Sequence, residues 1–192
     1  MKRLITIALI LICSFTAVAQ EHLKFKGIPI DGKYDDFSKA MVAAGFQKYP
    51  DLDSDNFRAF EGEFMNGDSK IIVYHTEKGL VYRVMVLHEY DSWRKLSSAF
   101  DDAAELYTTK YGLPSSKFAF FSEPYENGDG YELQALRKDK CHYLYTWDVP
   151  WGVIGIRLVA YGDSYFLAMV YEDTMNTEMK SIEDEQKALN DI

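Results

Sequence analysis

The apolar periodicities along the chain predict an α+β fold: two tandem αβββ halves whose strands form an antiparallel sheet with helices packed on one face. Three observations carry this reading. Helical spacing occurs twice, at residues 33–45 and again from Ser92 to Gly112, and three strand-like runs follow each helix. The two sets of strands superpose at a constant offset of 83 residues. No Pro/Ser-rich linker interrupts residues 20–173, and 192 residues suit one domain with its own core.

The chain opens with Met-Lys-Arg, an apolar run from Leu4 to about Phe15, and Ala17-Val18-Ala19 before Gln20. A charged start, an apolar middle and a small-x-small end read as a secretory signal peptide over residues 1–19, cut after Ala19. The run is shorter than the roughly 20 residues that a bilayer span needs. Ile12 before Cys13 disfavours lipoprotein processing, which requires a small residue there. Cleavage removes Lys2, Arg3 and Cys13, leaving 19 basic residues against 30 acidic and moving the formal charge from −9 to −11. Cys141 is then alone and is read as a buried small apolar residue. A chain this acidic, with no basic cluster, is not expected to bind nucleic acid or anionic lipid.

Residues 24–32 form an extended lead-in with a turn, and Asp31 is a candidate cap for the first helix. Phe37, Ala40, Met41 and Ala44 set that helix's apolar face, and Gly45 stops it. Residues 46–56 read as loop. Residues 57–64, 71–75 and 80–88 are strands, joined by turns at Asn66-Gly67-Asp68 and Glu77-Lys78-Gly79, so they form a meander. Asp91 or Ser92 caps the second helix, whose Trp93, Leu96, Phe100, Ala103 and Tyr107 share one face until Gly112 and Pro114 end it. Residues 115–130 look irregular, and 131–137 read as a short helix in preference to a strand. Strands resume at 141–147, 153–161 and 165–171. Residues 174–192 are a charged tail with a thin stripe at Met179, Ile182 and Leu189, expected to be a marginal helix or a frayed end.

At the offset of 83, Phe60 falls on Tyr143, Phe64 on Trp147, Ile71 on Ile154, Val84 on Leu167, Val86 on Met169 and Glu89 on Glu172. This implies similar halves at about 24–90 and 91–173, and a sheet whose face opposite the helices is open or only partly covered.

The segments FKGIPIDGKYDDFSKAMVAAGF and FEGEFMNGDSKIIVYHTEKGLVYRVMV, the YGLP after the second helix and the final YEDTMN resemble a group of small secreted proteins of gut bacteria. That resemblance covers most of the mature chain and implies a fold and an export route, not an activity. The tandem itself is similar to the β-lactamase-inhibitor-protein fold, in which a concave sheet binds a partner protein. The disulfides of its best-known inhibitor are absent here, so inhibition is not implied.

Chemistry is sparse. His22, His75, His88 and His142 show no metal-ligand spacing, and no metal or cofactor is expected. Cys141 and His142 are neighbours, but successive strand residues point to opposite faces and cannot pair as nucleophile and base. Asp51, Asp53 and Asp55 begin like a calcium loop, yet Asn56 replaces the required Gly and Gly62 the bidentate Glu. Glu61 and Glu63 alternate with Phe60 and Phe64 and read as the wet face of a half-buried strand. Nucleophile-elbow, phosphate-loop and dinucleotide motifs are absent.

The aromatic cluster in the second half is the feature most suited to binding. Tyr143, Tyr145 and Trp147 share one strand face, and Trp151 sits at a turn between Pro150 and Gly152. They form either a binding surface or core between sheet and helices. The expected function is an exported, non-enzymatic binding or interaction module in the periplasm or outside the cell. It would use the open sheet face or the hairpin tips on a protein partner or a glycan of the cell envelope. The alternative is a small envelope enzyme with catalytic groups dispersed in sequence.

Overall fold

The computed structural model describes residues 21–190 and 192, so the expected signal peptide lies outside the described residues. The architecture is α+β. A small hairpin comes first, β1 (Lys24–Phe25) with β2 (Ile28–Pro29), then α1 (Tyr34–Ala43) and the short edge strand β3 (Gln47–Lys48). The first meander is β4 (Phe57–Phe64), β5 (Gly67–His75) and β6 (Val81–Tyr90). After α2 (Trp93–Tyr111) the chain adds β7 (Ser116–Phe121) and α3 (Glu132–Arg137), then the second meander, β8 (Cys141–Val149), β9 (Gly152–Tyr161) and β10 (Ser164–Asp173). It closes with α4 (Thr174–Asn190). The main sheet has the order β3-β4-β5-β6-β10-β9-β8-β7, with every neighbouring pair antiparallel.

The join between the meanders follows the offset of 83. In the β6–β10 ladder Val86 stands opposite Met169, its own equivalent, and Glu89 opposite Phe166 mirrors Arg83 opposite Glu172. Equivalent residues face each other only where a local twofold axis passes between the strands, so the axis runs between Val86 and Met169.

Period-2 alternation sends one set of side chains toward the helices. Phe60, Ile71, Val73, Val84, Val86, Ile154, Ile156 and Met169 meet Phe37 and Met41 of α1, Leu96, Phe100, Ala103 and Tyr107 of α2, and Ala135 and Leu136 of α3. Burying each larger apolar side chain there contributes about 1.5–3 kcal/mol. The Tyr107 and Tyr171 hydroxyls, 2.6 Å apart, satisfy each other inside this layer, and burial raises the pKa of both. The other face carries a smaller cluster of Ala59, Ile72, Met85, Leu87 and Ala168, ringed by half-buried Phe57, Tyr74, Val159, Phe166 and Val170. Among the described residues no helix side chain belongs to it, which leaves that face without a helical cover.

Several local expectations are corrected. Asp31 does not cap α1, since the N-cap position is Lys33 without a side-chain hydrogen bond. The first hairpin turns at Met65 and Asn66, both at positive φ (48° and 60°), one residue ahead of the expected turn. Residues 116–121 are a strand, not irregular: SKFAFF lacks clean alternation because β7 is an edge strand exposed on both faces. The tail is a full helix. Asp173 accepts the N–H of Asn176 at 3.0 Å as a cap and the N–H of Leu23 at 2.9 Å, while Asn176 Nδ2 donates to the Ile30 and Val81 carbonyls. Those buried bonds fasten α4 to the β1–β2 hairpin and to β6 where apolar contact is scarce.

Candidate functional site: a fork between two strands

The second meander does not close as the first does. The β4–β5 ladder runs unbroken from Phe64 opposite Gly67 to Phe57 opposite Tyr74. The β8–β9 ladder runs from Val149 opposite Gly152 to Leu144 opposite Arg157 and stops there, although β8 begins at Cys141 and β9 continues to Tyr161. Beyond that point Cys141, His142 and Tyr143 pair only with β7, and Leu158 to Tyr161 pair only with β10. The strands diverge around α3, which packs on both of them and buries Ala135 and Leu136. Between β3 and β4 the chain makes a three-residue 3-10 turn, Pro50–Leu52, and the β4–β5 ladder stays whole.

The divergence opens a cleft of about 490 Å³. This is within the ~300–1,000 Å³ usual for ligand sites. Its walls on the helix-free side are Phe118 and Phe120 of β7, His142 and Leu144 of β8, and Arg157, Val159 and Tyr161 of β9. Leu136 and Asp139, with Cys141, Tyr143, Leu158 and Ala160 from the helix-covered side, complete the lining. Phe118, Phe120 and Tyr161 are each nearly half exposed. The Phe120 ring lies 4.7 Å from the His142 imidazole, centroid to centroid, and Phe118 is edge-on to Phe120 at 6.5 Å.

Charge in the cleft is arranged along its length. Arg157 sits at the crotch, opposite Leu144, and also borders a neighbouring depression of about 230 Å³ lined by Tyr74, Arg83 and Glu172. Arg83 is held by Glu172 at 2.7 Å and Lys70 by Glu61 at 2.5 Å. Arg157 has no hydrogen-bond or ion-pair partner among the described residues. Asp139 follows α3 and lies at the other end, ahead of Cys141. Leu144 lies three strand positions beyond Cys141, which is about 10 Å of extended chain.

The sequence-derived aromatic residues are placed as follows. Tyr143, Tyr145 and Trp147 do share one face, but it is the helix-covered one. Trp147 is 1% exposed, packs on Tyr107 and donates its indole N–H to the Gly112 carbonyl at 2.9 Å, so it is core and offers no binding surface. Tyr143 and Tyr145 are half-buried against Phe100, and Tyr143 reaches the cleft lining from beneath. Trp151 is 50% exposed at the β8–β9 tip, as a turn position suggests, with φ of 74° and its indole N–H on Glu21 at 3.1 Å. It stands at the opposite end of these strands from the fork.

Two reactive-looking groups line or adjoin the cleft. Burial, and secondarily the Glu132 carboxylate, push the Cys141 thiol up to about 12, so it stays protonated and unreactive at neutral pH. Ser122 Oγ lies 2.8 Å from His142 Nε2, but among the described residues no carboxylate hydrogen-bonds the other ring nitrogen as an activated serine requires. Among the described residues no group of three or more His, Cys, Asp or Glu is placed to hold a metal ion.

The residues missed by sequence reasoning are Phe118, Phe120, Arg157 and Tyr161. Arg157 did carry a signal: it is the single charge within GVIGIRLVAY, at an outward position of an otherwise apolar strand. Compared with protein-family models, curated proteins and solved structures, the chain matches none.

Proposed function

We propose that the chain is an exported binding module of the cell envelope, not an enzyme, and that it takes its ligand on the helix-free face at the fork between β8 and β9. The observation that carries the reading is the fork itself: two strand edges without ladder partners, aromatic walls and one unpaired guanidinium in a single cleft. A protonated Cys141 and a Ser122–His142 pair without an orienting acid favour binding over turnover. Glycans are the competing ligand class to peptides, favoured by the exposed rings of Phe118 and Phe120.

The test is an amide chemical-shift titration of the purified mature chain with a panel of short peptides and neutral oligosaccharides. Perturbations should concentrate on β7, β8 and β9 around the cleft, and Trp151→Ala should leave them unchanged. Perturbations confined to other surfaces, or turnover of a panel member, would refute the reading. N-terminal sequencing of the chain recovered from the periplasm or the medium checks export, with Gln20 expected as the first residue.

A further inference from the structure

The fork's shape and charge together specify one kind of occupant, and this step rests on the binding reading above. A strand within a sheet uses main-chain groups on both sides, whereas Cys141–Tyr143 and Leu158–Tyr161 each have a strand neighbour on one side only. Their free sides face each other across the cleft, so an occupant that offers its own N–H and C=O groups in extended form is favoured over a compact one. Arg157 at the crotch is a cation without a partner in a strongly acidic protein, and its planar fork matches a carboxylate. Asp139 stands at the far end, beyond Cys141.

We infer that the cleft binds the C-terminal end of a peptide, extended between β8 and β9, with its terminal carboxylate on Arg157 and apolar or aromatic side chains against Phe118, Phe120 and Tyr161. The peptide runs toward the crotch, so a free tripeptide would also bring its ammonium to Asp139. A longer chain would leave through the mouth of the cleft. The shared chemistry is a free carboxyl terminus on an apolar strand, whichever source supplies it.

The experiment is isothermal titration of the mature chain with Ala-Phe-Phe, its C-terminal amide, its N-acetyl form and maltotriose. The free tripeptide should bind, and both the amide and the Arg157→Ala variant should lose about tenfold or more, the usual weight of a charge-assisted bidentate contact. Arg157 is exposed, so R157A should melt with the wild type, which separates lost recognition from lost fold. Retained binding of the N-acetyl form assigns the site to the end of a longer chain, and its loss together with loss in Asp139→Asn assigns it to free short peptides; both support the inference. Equal binding of acid and amide overturns it while leaving a binding module in place, as does binding of maltotriose alone. Failure of every probe to bind overturns it, and the shift titration with the wider panel then decides whether the binding reading falls as well.

Discussion

The two halves of this sheet are built from the same strands at the same spacing, yet one is closed and the other forked. In the first, β4 and β5 pair along their whole length. In the second, β8 has slid four residues along β9, since Trp147 faces Ile154 where the offset would place Tyr143. An even slip keeps every side chain on its face, so the core tolerates it while the ladder shortens. The inserted α3 packs on both strands from the helix-covered side at the point where they part. What differs between the halves is pairing, not pattern, and the departure creates the cleft.

The comparison can be tested first in the core. Phe60 opposite Ile71 and Trp147 opposite Ile154 hold equivalent places and both face the helices, and changing either to Ala should destabilise the protein by about 3–5 kcal/mol, read by chemical denaturation. A Trp147→Ala variant that kept its stability and lost ligand would mean that the residue belongs to a site and that the halves do not share a core. Next comes the fork. Those amides of residues 158–161 that face the cleft should exchange with solvent roughly tenfold faster than those of 71–74 in the continuous ladder. Equal protection would mean that the fork closes in solution.

The smallest effect concerns one pair of equivalent positions. His88 in the first half corresponds to Tyr171 in the second; His88 Nε2 lies 2.7 Å from Ser69 Oγ, and burial holds its pKa below the ordinary 6.5. The unfolded chain therefore takes up this proton first. The contribution to stability is whole above pH 6.5 and falls as the pH drops below that value toward the lowered folded pKa. Melting temperature should fall by a few degrees at most between about pH 7.5 and about pH 5, and His88→Gln should flatten that part of the profile. Tyr171 stays neutral throughout this range, so the second half should add no matching dependence.

Most of the scaffold was legible in the sequence because its signals are local. The 3-and-4 spacing of α2 placed Leu96, Phe100, Ala103 and Tyr107 on the buried face, and the meanders followed from period 2 and their turns. The aromatic row showed the limit of the same rule. Alternation groups Tyr143, Tyr145 and Trp147 on one face but is symmetric about the sheet, so it does not say which face the helices cover. The fork was out of reach for another reason: its cause is the relative slip of two strands around a helix of six residues, a tertiary event that neither strand's sequence records. In β7 both faces are apolar at an edge, which erased the alternation and hid Phe118 and Phe120 in an apparent loop.

The axis between Val86 and Met169 has a consequence for the order of folding. Each meander is assembled from neighbouring segments, but the ladder that unites them joins residues 83 apart at its centre. Closing so long a loop costs conformational entropy before any contact rewards it, so contact-order reasoning places this pairing late. Until then β6 is an unpaired apolar edge, VYRVMVLHEY, awaiting a strand that the chain supplies only near its end. A first meander that forms ahead of the second leaves that edge exposed to any other strand able to complete it.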